Sequence, residues 1–181
     1  MNTRKRVLPI GGQDFNDIRR SGFIYVDKTQ FVADLVSASK YYFLSRPRRF
    51  GKSLFLSTLK AYFEGRKESF EGLYLGKWEE EQAAQEGRET WQQYPVLYVD
   101  FNSEKYTTLA DLESILHVQL TEWEAIYGTK ESETTFSSRF KGIIQRAYEK
   151  THKQVIVLVD EYDKPLLLTL EEGQEDLNDE Y

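Results

Sequence analysis

Apolar residues recur at helical steps in four stretches of the chain. Phe31, Val32, Leu35 and Val36 predict a helix over residues 28–38, where Asp27 and Gln30 read as a capping-box-like start. Leu54, Leu56, Leu59, Tyr62 and Phe63 predict a second helix, largely inward-facing on those residues and stopped near Gly65. Leu109, Leu112, Leu116, Leu120, Trp123 and Tyr127 predict a third. Phe136, Phe140, Ile143, Ile144, Ala147 and Tyr148 predict a fourth. Between them lie three short apolar runs, residues 41–44, 95–101 and 155–159, that read as core strands. Their near-continuous apolar character suits parallel strands covered on both faces. Residues 68–78 read as a packed, irregular segment around Phe70, Leu73, Tyr74 and Trp78. Residues 79–93 are polar, with Trp91 as the one anchor, and read as an exposed helix or connection. Strands alternating with helices imply right-handed crossovers and a parallel α/β sheet.

The polar residues at two strand ends carry the chemistry. The first run leads into Arg46-Pro47-Arg48-Arg49-Phe50-Gly51-Lys52-Ser53, followed at once by the second helix. A helix N-terminus offers unpaired N–H groups and partial positive charge, which attract phosphate. A first-turn lysine adds a full charge, and a serine hydroxyl can bind the Mg2+ that accompanies a nucleotide. In the phosphate-binding-loop pattern G-x-x-x-x-G-K-[ST], Gly51, Lys52 and Ser53 match, and Arg46 stands at the first glycine. The third run ends in Asp160-Glu161, an abrupt change from five apolar residues to a carboxylate pair. Residues 48–54 (Arg48, Arg49, Phe50, Gly51, Lys52, Ser53 and Leu54) are the candidate nucleotide contacts. In this assignment Lys52 reaches the β- and γ-phosphates, Ser53 and Asp160 hold Mg2+, and Glu161 is the general base. The scheme requires Lys52 and Asp160 to serve one crevice.

Several neighbours have two readings. Asp163 is a further carboxylate near the metal or a partner of Lys164. Asp100 orients water or Lys52, or caps the following loop. Tyr25, Asp27 and Lys28 seat an adenine, or Asp27 simply caps a helix. Arg48 and Arg49 face phosphate, a neighbouring subunit or nucleic acid, or are solvated loop charges. His117 and His152 lack metal-site spacing.

Composition narrows the setting. The 181 residues are 40% hydrophobic and 30% charged, and they include no cysteine, which excludes disulfides and thiolate metal sites. No apolar run approaches the roughly 20 residues of a membrane span, and the basic N-terminus lacks a signal-like apolar stretch. A cytoplasmic protein without membrane partners is expected. The net charge of −6 argues against a broad nucleic-acid surface, and the six acids in the last eleven residues read as a solvated helix face or end.

Leu8-Pro9-Ile10-Gly11, Tyr25-Val26-Asp27-Lys28-Thr29, the stretch from Tyr42 to Ser53 and Asp160-Glu161-Tyr162-Asp163-Lys164-Pro165-Leu166 together resemble the bacterial AAA-ATPase-like family. Its members often carry a C-terminal PD-(D/E)XK nuclease-like domain. The resemblance implies a P-loop NTPase three-layer sandwich with a parallel sheet of the additional-strand type, ATP and Mg2+ as ligands, and an arginine at position 46 as the family norm. It divides the chain into an N-terminal helical segment (1–40), a partial ATPase core (41–170) and the acidic start of a helix (171–181). Against the family pattern the chain stops short of two core strands, a sensor residue and a helical lid. The fold is thus expected in incomplete form, with exposed strand edges that favour pairing with another chain. The function expected is ATP binding, with hydrolysis in the full-length protein and weak or absent turnover in this piece. Open alternatives are a non-catalytic nucleotide-dependent switch, a nucleic-acid-associated protein, a truncated remnant and a homo-oligomer.

Overall fold

The pattern of buried residues follows from two separate cores, one on each side of the Tyr94–Pro95 junction. The structure, a computed structural model, describes residues 7–9, 11–12, 14–45, 47, 49–101 and 108–163.

In the first unit, α1 (Phe15–Arg20) starts at Asp14, whose carboxylate accepts from the Asp17 N–H at 2.8 Å. It is short, and tertiary bonds hold it. The Phe15 N–H donates to Ser57 Oγ at 2.9 Å, and the Arg19 guanidinium donates to the Ser69 and Glu71 carbonyls at 2.8 and 2.6 Å. Helix α2 spans Gln30–Ala38 and α3 spans Lys52–Phe63. A 3₁₀ turn at Lys67–Phe70 leads to α4 (Tyr74–Glu86). The core is aromatic: Phe15 lies 4.8 Å from Phe70, and Phe70 stacks on Trp91 at 5.1 Å between ring centroids.

Helix α3 ends as its sequence predicts. Gly65 takes φ +70°, its N–H donates to the Tyr62 carbonyl, and the Arg66 N–H donates to the Ala61 carbonyl. That pair of bonds is the Schellman arrangement, which an αL glycine allows. The inward face differs from the expected one: Phe55, Ser57, Thr58, Leu59 and Ala61 are the buried residues.

Two elements depart from the sequence reading. Residues 41–45 form no strand, and Tyr41 and Phe43 are 90% and 71% exposed. A β-strand is held by hydrogen bonds to a neighbour, and both strands among the described residues pair with each other in the second unit. The polar stretch 79–93 is not simply exposed. Glu79 of α4 is 1% exposed, and its carboxylate accepts from the Tyr62 hydroxyl, the Arg88 guanidinium and the Trp91 N–H.

Asp27 also acts differently from a simple capping box. Thr29 is the N-cap of α2 and makes no side-chain cap. Asp27 instead accepts from the N–H and hydroxyl of Thr29 and from the Tyr74 N–H, at 2.9, 2.7 and 2.7 Å. The Leu75 N–H donates to the buried Thr29 hydroxyl at 3.0 Å. Together Asp27 and Thr29 cap the start of α4 through bonds spanning 47 and 46 positions of the chain, and this explains the pair structurally.

The second unit is β1 (Val96–Asp100), α5 (Leu109–Tyr127), α6 (Phe136–Thr151) and β2 (Ile156–Asp160). The strands pair in parallel, Val96 opposite Ile156 through Asp100 opposite Asp160. Thr108 and Thr135 open α5 and α6 with capping boxes completed by Asp111 and Ser138. Leu97, Leu120 and Ile143 form the buried centre, flanked by Trp123, Phe136, Phe140 and Ile144. The helices are also clamped by charge: Arg139 grips Glu124 with two bonds of 2.8 Å. Among the described residues the protein is thus mixed α/β, with six α-helices and a two-stranded parallel sheet. No described helix is long and apolar enough to cross a membrane.

Candidate functional site

The phosphate-binding candidates lie at the start of α3. Gly51 is the N-cap, with φ +74° and no side chain to cap the helix; a Cβ built on it meets nothing within 4 Å. Its carbonyl accepts the Phe55 N–H at 3.0 Å, closing the first helical turn. In such a turn the leading N–H groups have no intrahelical acceptor and point along the axis, where the dipole is positive. Lys52 and Ser53 are the first two residues of this 12-residue helix, and with Leu54 they are half-buried. Leu54 contributes through its carbonyl, which accepts from the Ser57 and Thr58 hydroxyls at 3.0 and 2.8 Å. Arg49 is exposed and left-handed, with φ +69°, a conformation that costs a non-glycine residue roughly 1–2 kcal/mol. Phe50 is 66% exposed, and its N–H donates to the Pro47 carbonyl at 3.3 Å. Arg49 carries the strain in this solvent-facing turn, while Gly51 adopts its left-handed φ freely. Arg46 and Arg48 lie outside the described residues.

The acidic candidates sit at the C-terminal ends of the two parallel strands. Asp160 is 4% exposed. Both its carboxylate oxygens are engaged: Oδ1 accepts the Glu161 N–H at 3.0 Å and Oδ2 accepts the Tyr98 hydroxyl at 3.3 Å. Asp100 stands opposite Asp160 in the register. Glu161 leaves the strand with φ +52°, a left-handed turn that a glutamate adopts only under constraint. Asp163 is half-buried, and its Oδ1 has no hydrogen-bond partner among the described residues. Lys164 lies outside them. Tyr98 is the residue the sequence reading missed. Its part in this cluster depends on the parallel register and leaves no local signal.

The donor set bears on which metal fits. Among the described residues no group of three or more His, Cys, Asp or Glu side chains converges. A site that cages Ca2+ or Zn2+ needs more protein ligands. Mg2+ keeps several waters and is held by one or two carboxylates plus substrate phosphates, so a single buried aspartate with lone pairs remaining on both oxygens suits it. His117 is occupied otherwise, its Nδ1 lying 2.9 Å from Arg139 Nη1.

The family described as predicted AAA-ATPase matches residues 9–181, and the chain belongs to it. The chain is also 39% identical over 166 residues to a protein of Azotobacter chroococcum mcd 1 described as an uncharacterized protein in the vnfD 5′ region. The match covers 90% of this chain and 30% of that relative's length. No solved structure matches.

Proposed function

We propose that the chain binds ATP with Mg2+ as part of a P-loop ATPase, and that hydrolysis belongs to a longer protein of the length its relative has. The proposed architecture is the three-layer P-loop sandwich with a parallel sheet, its core drawn from residues 41–170. One observation carries the reading: a left-handed glycine opens a three-turn helix directly on Lys52 and Ser53. Family membership supports a nucleoside triphosphate as the anion, and adenine as the base.

The chain's residues then divide the work. Backbone N–H groups of residues 49–53 surround the β-phosphate, and Arg48 and Arg49 add positive charge at the loop. Lys52 reaches the β- and γ-phosphates as a point charge. Ser53 Oγ and Asp160, the latter through water, are the groups that would hold the metal. The chemistry that Mg2+ would supply there is neutralisation of phosphate charge. Glu161, the first residue after β2, would accept a proton from the attacking water as general base. Little covalent chemistry falls to the protein, so positioning and electrostatics do most of the catalysis.

The test is calorimetric titration of ATP and GTP into this chain, with Mg2+ and with EDTA, alongside phosphate release by a longer form. ATP binding that Mg2+ strengthens, with turnover in the longer form, is the expected outcome. Absence of any ATP binding by both forms refutes the proposal.

A further inference from the structure

We propose that Tyr98 is a positioning residue for Asp160, setting the affinity of the nucleotide site for its divalent cation. The inference rests on the proposed function and deepens it. Side chains alternate across a strand, and opposed residues of a parallel pair share a face. With Tyr98 opposite Leu158 and Asp100 opposite Asp160, the tyrosine and Asp160 fall diagonally on one face. The Tyr98 hydroxyl closes that diagonal at 3.3 Å on Oδ2.

The carboxylate is therefore held at two points that differ in kind. The Glu161 N–H on Oδ1 comes from the next residue in the chain and moves with Asp160 itself. The Tyr98 hydroxyl comes from the neighbouring strand and ties the side-chain torsion to the sheet. Each carboxylate oxygen accepts more than one bond, so the tyrosine leaves acceptor capacity for a metal-bound water. A bond of 3.3 Å is long for two oxygens, so it restrains the carboxylate only modestly. Partners of this type orient metal-binding carboxylates, and their loss weakens metal binding without removing a ligand.

Tyr98→Phe deletes the hydroxyl and keeps the half-buried ring, so the fold is retained. The experiment titrates Mg2+ into the full chain with a fluorescent ATP analogue present, and separately measures analogue affinity in EDTA. For wild type, Mg2+ strengthens binding. For Tyr98→Phe the half-saturating Mg2+ concentration rises about 3- to 10-fold, the range of one modest hydrogen bond, while affinity in EDTA is unchanged. Asp160→Asn loses the Mg2+ response altogether. A Tyr98→Phe titration that overlays wild type overturns the assignment. So does an equal loss with and without Mg2+, which marks a packing role. If wild-type binding ignores Mg2+, the proposed function fails first, and the role of Tyr98 fails with it.

Discussion

Replacing Glu79 with alanine removes the acceptor at the centre of the first unit. Three groups lose this acceptor: the Tyr62 hydroxyl at 2.8 Å, the Trp91 N–H at 3.1 Å, and the Arg88 guanidinium at 2.6 and 3.1 Å, which keeps its bonds to Glu86 and the Glu89 carbonyl. The Trp91 N–H is buried, and an orphaned buried donor costs about 1–3 kcal/mol. The Tyr62 hydroxyl adds about 1 kcal/mol. The Arg88 side chain is 27% exposed, so its freed N–H groups rehydrate and add less. The total is about 3–4 kcal/mol, in the range found when one partner of a buried ion pair is deleted. That is a large share of the 5–15 kcal/mol typical of a folded domain. Glu79→Gln keeps the shape but turns an amide N–H2 toward donors, and costs roughly half as much.

The pH dependence gives a second handle. Burial pushes the Glu79 carboxyl upward, but the Arg88 and Tyr62 bonds and the Trp91 N–H outweigh it and hold the group below its ordinary range. A carboxylate depressed in the folded state stabilises fully above its unfolded pKa, about 4.3, and the contribution fades as pH falls through the folded value. Urea unfolding of wild type and both variants at pH 7 and at several points below pH 4.5, followed by tryptophan fluorescence, measures this. The gap between wild type and Glu79→Gln should narrow on acidification. A cost under 1 kcal/mol for Glu79→Ala, or a gap constant from pH 7 to pH 3, would refute the reasoning.

Three further substitutions separate backbone, contact and ligand roles. Gly65→Ala meets both a left-handed φ of +70° and the Trp91 carbonyl 2.6 Å from the new Cβ. It should cost about 2–4 kcal/mol in urea unfolding, whereas Gly72→Ala, left-handed but with nothing within 4 Å, should cost about 1–2 kcal/mol; equal costs would discount the contact. Asp27→Ala removes the bonds to Thr29 and Tyr74 and should lower stability by about 1–2 kcal/mol with ATP affinity unchanged. A selective loss of ATP affinity at full stability would make Asp27 a nucleotide contact instead.

What the sequence made legible divides along physical lines. Helices α5 and α6 were readable because their apolar stripes face β1, whereas the capping boxes at Thr108 and Thr135 appeared only in the structure. The two strands were readable as apolar runs, the first trimmed by one residue at each end and the second shifted by one. Asp160 closes β2 because it pairs with Asp100, and pairing cannot be seen in one segment alone. The same limit explains residues 41–45, which have strand-forming side chains without a described partner strand. Helix α4 was obscured because its key inward residue is charged, and only Arg88 and Trp91, brought round by the following turn, make a buried Glu79 tolerable. The Gly51-Lys52-Ser53 turn was local and therefore visible. Tyr98 joins Asp160 across 62 positions and was not.

The proposal to be tested is that the chain binds a Mg2+–nucleotide complex to which the lysine-bearing turn and the buried aspartate each contribute. ATP titration of wild type, Lys52→Ala and Asp160→Asn, each with Mg2+ and with EDTA, tests it most directly. Lys52→Ala should lose binding in both conditions, and Asp160→Asn should lose only the part that Mg2+ adds. Wild-type affinity in both variants, under both conditions, would contradict the account.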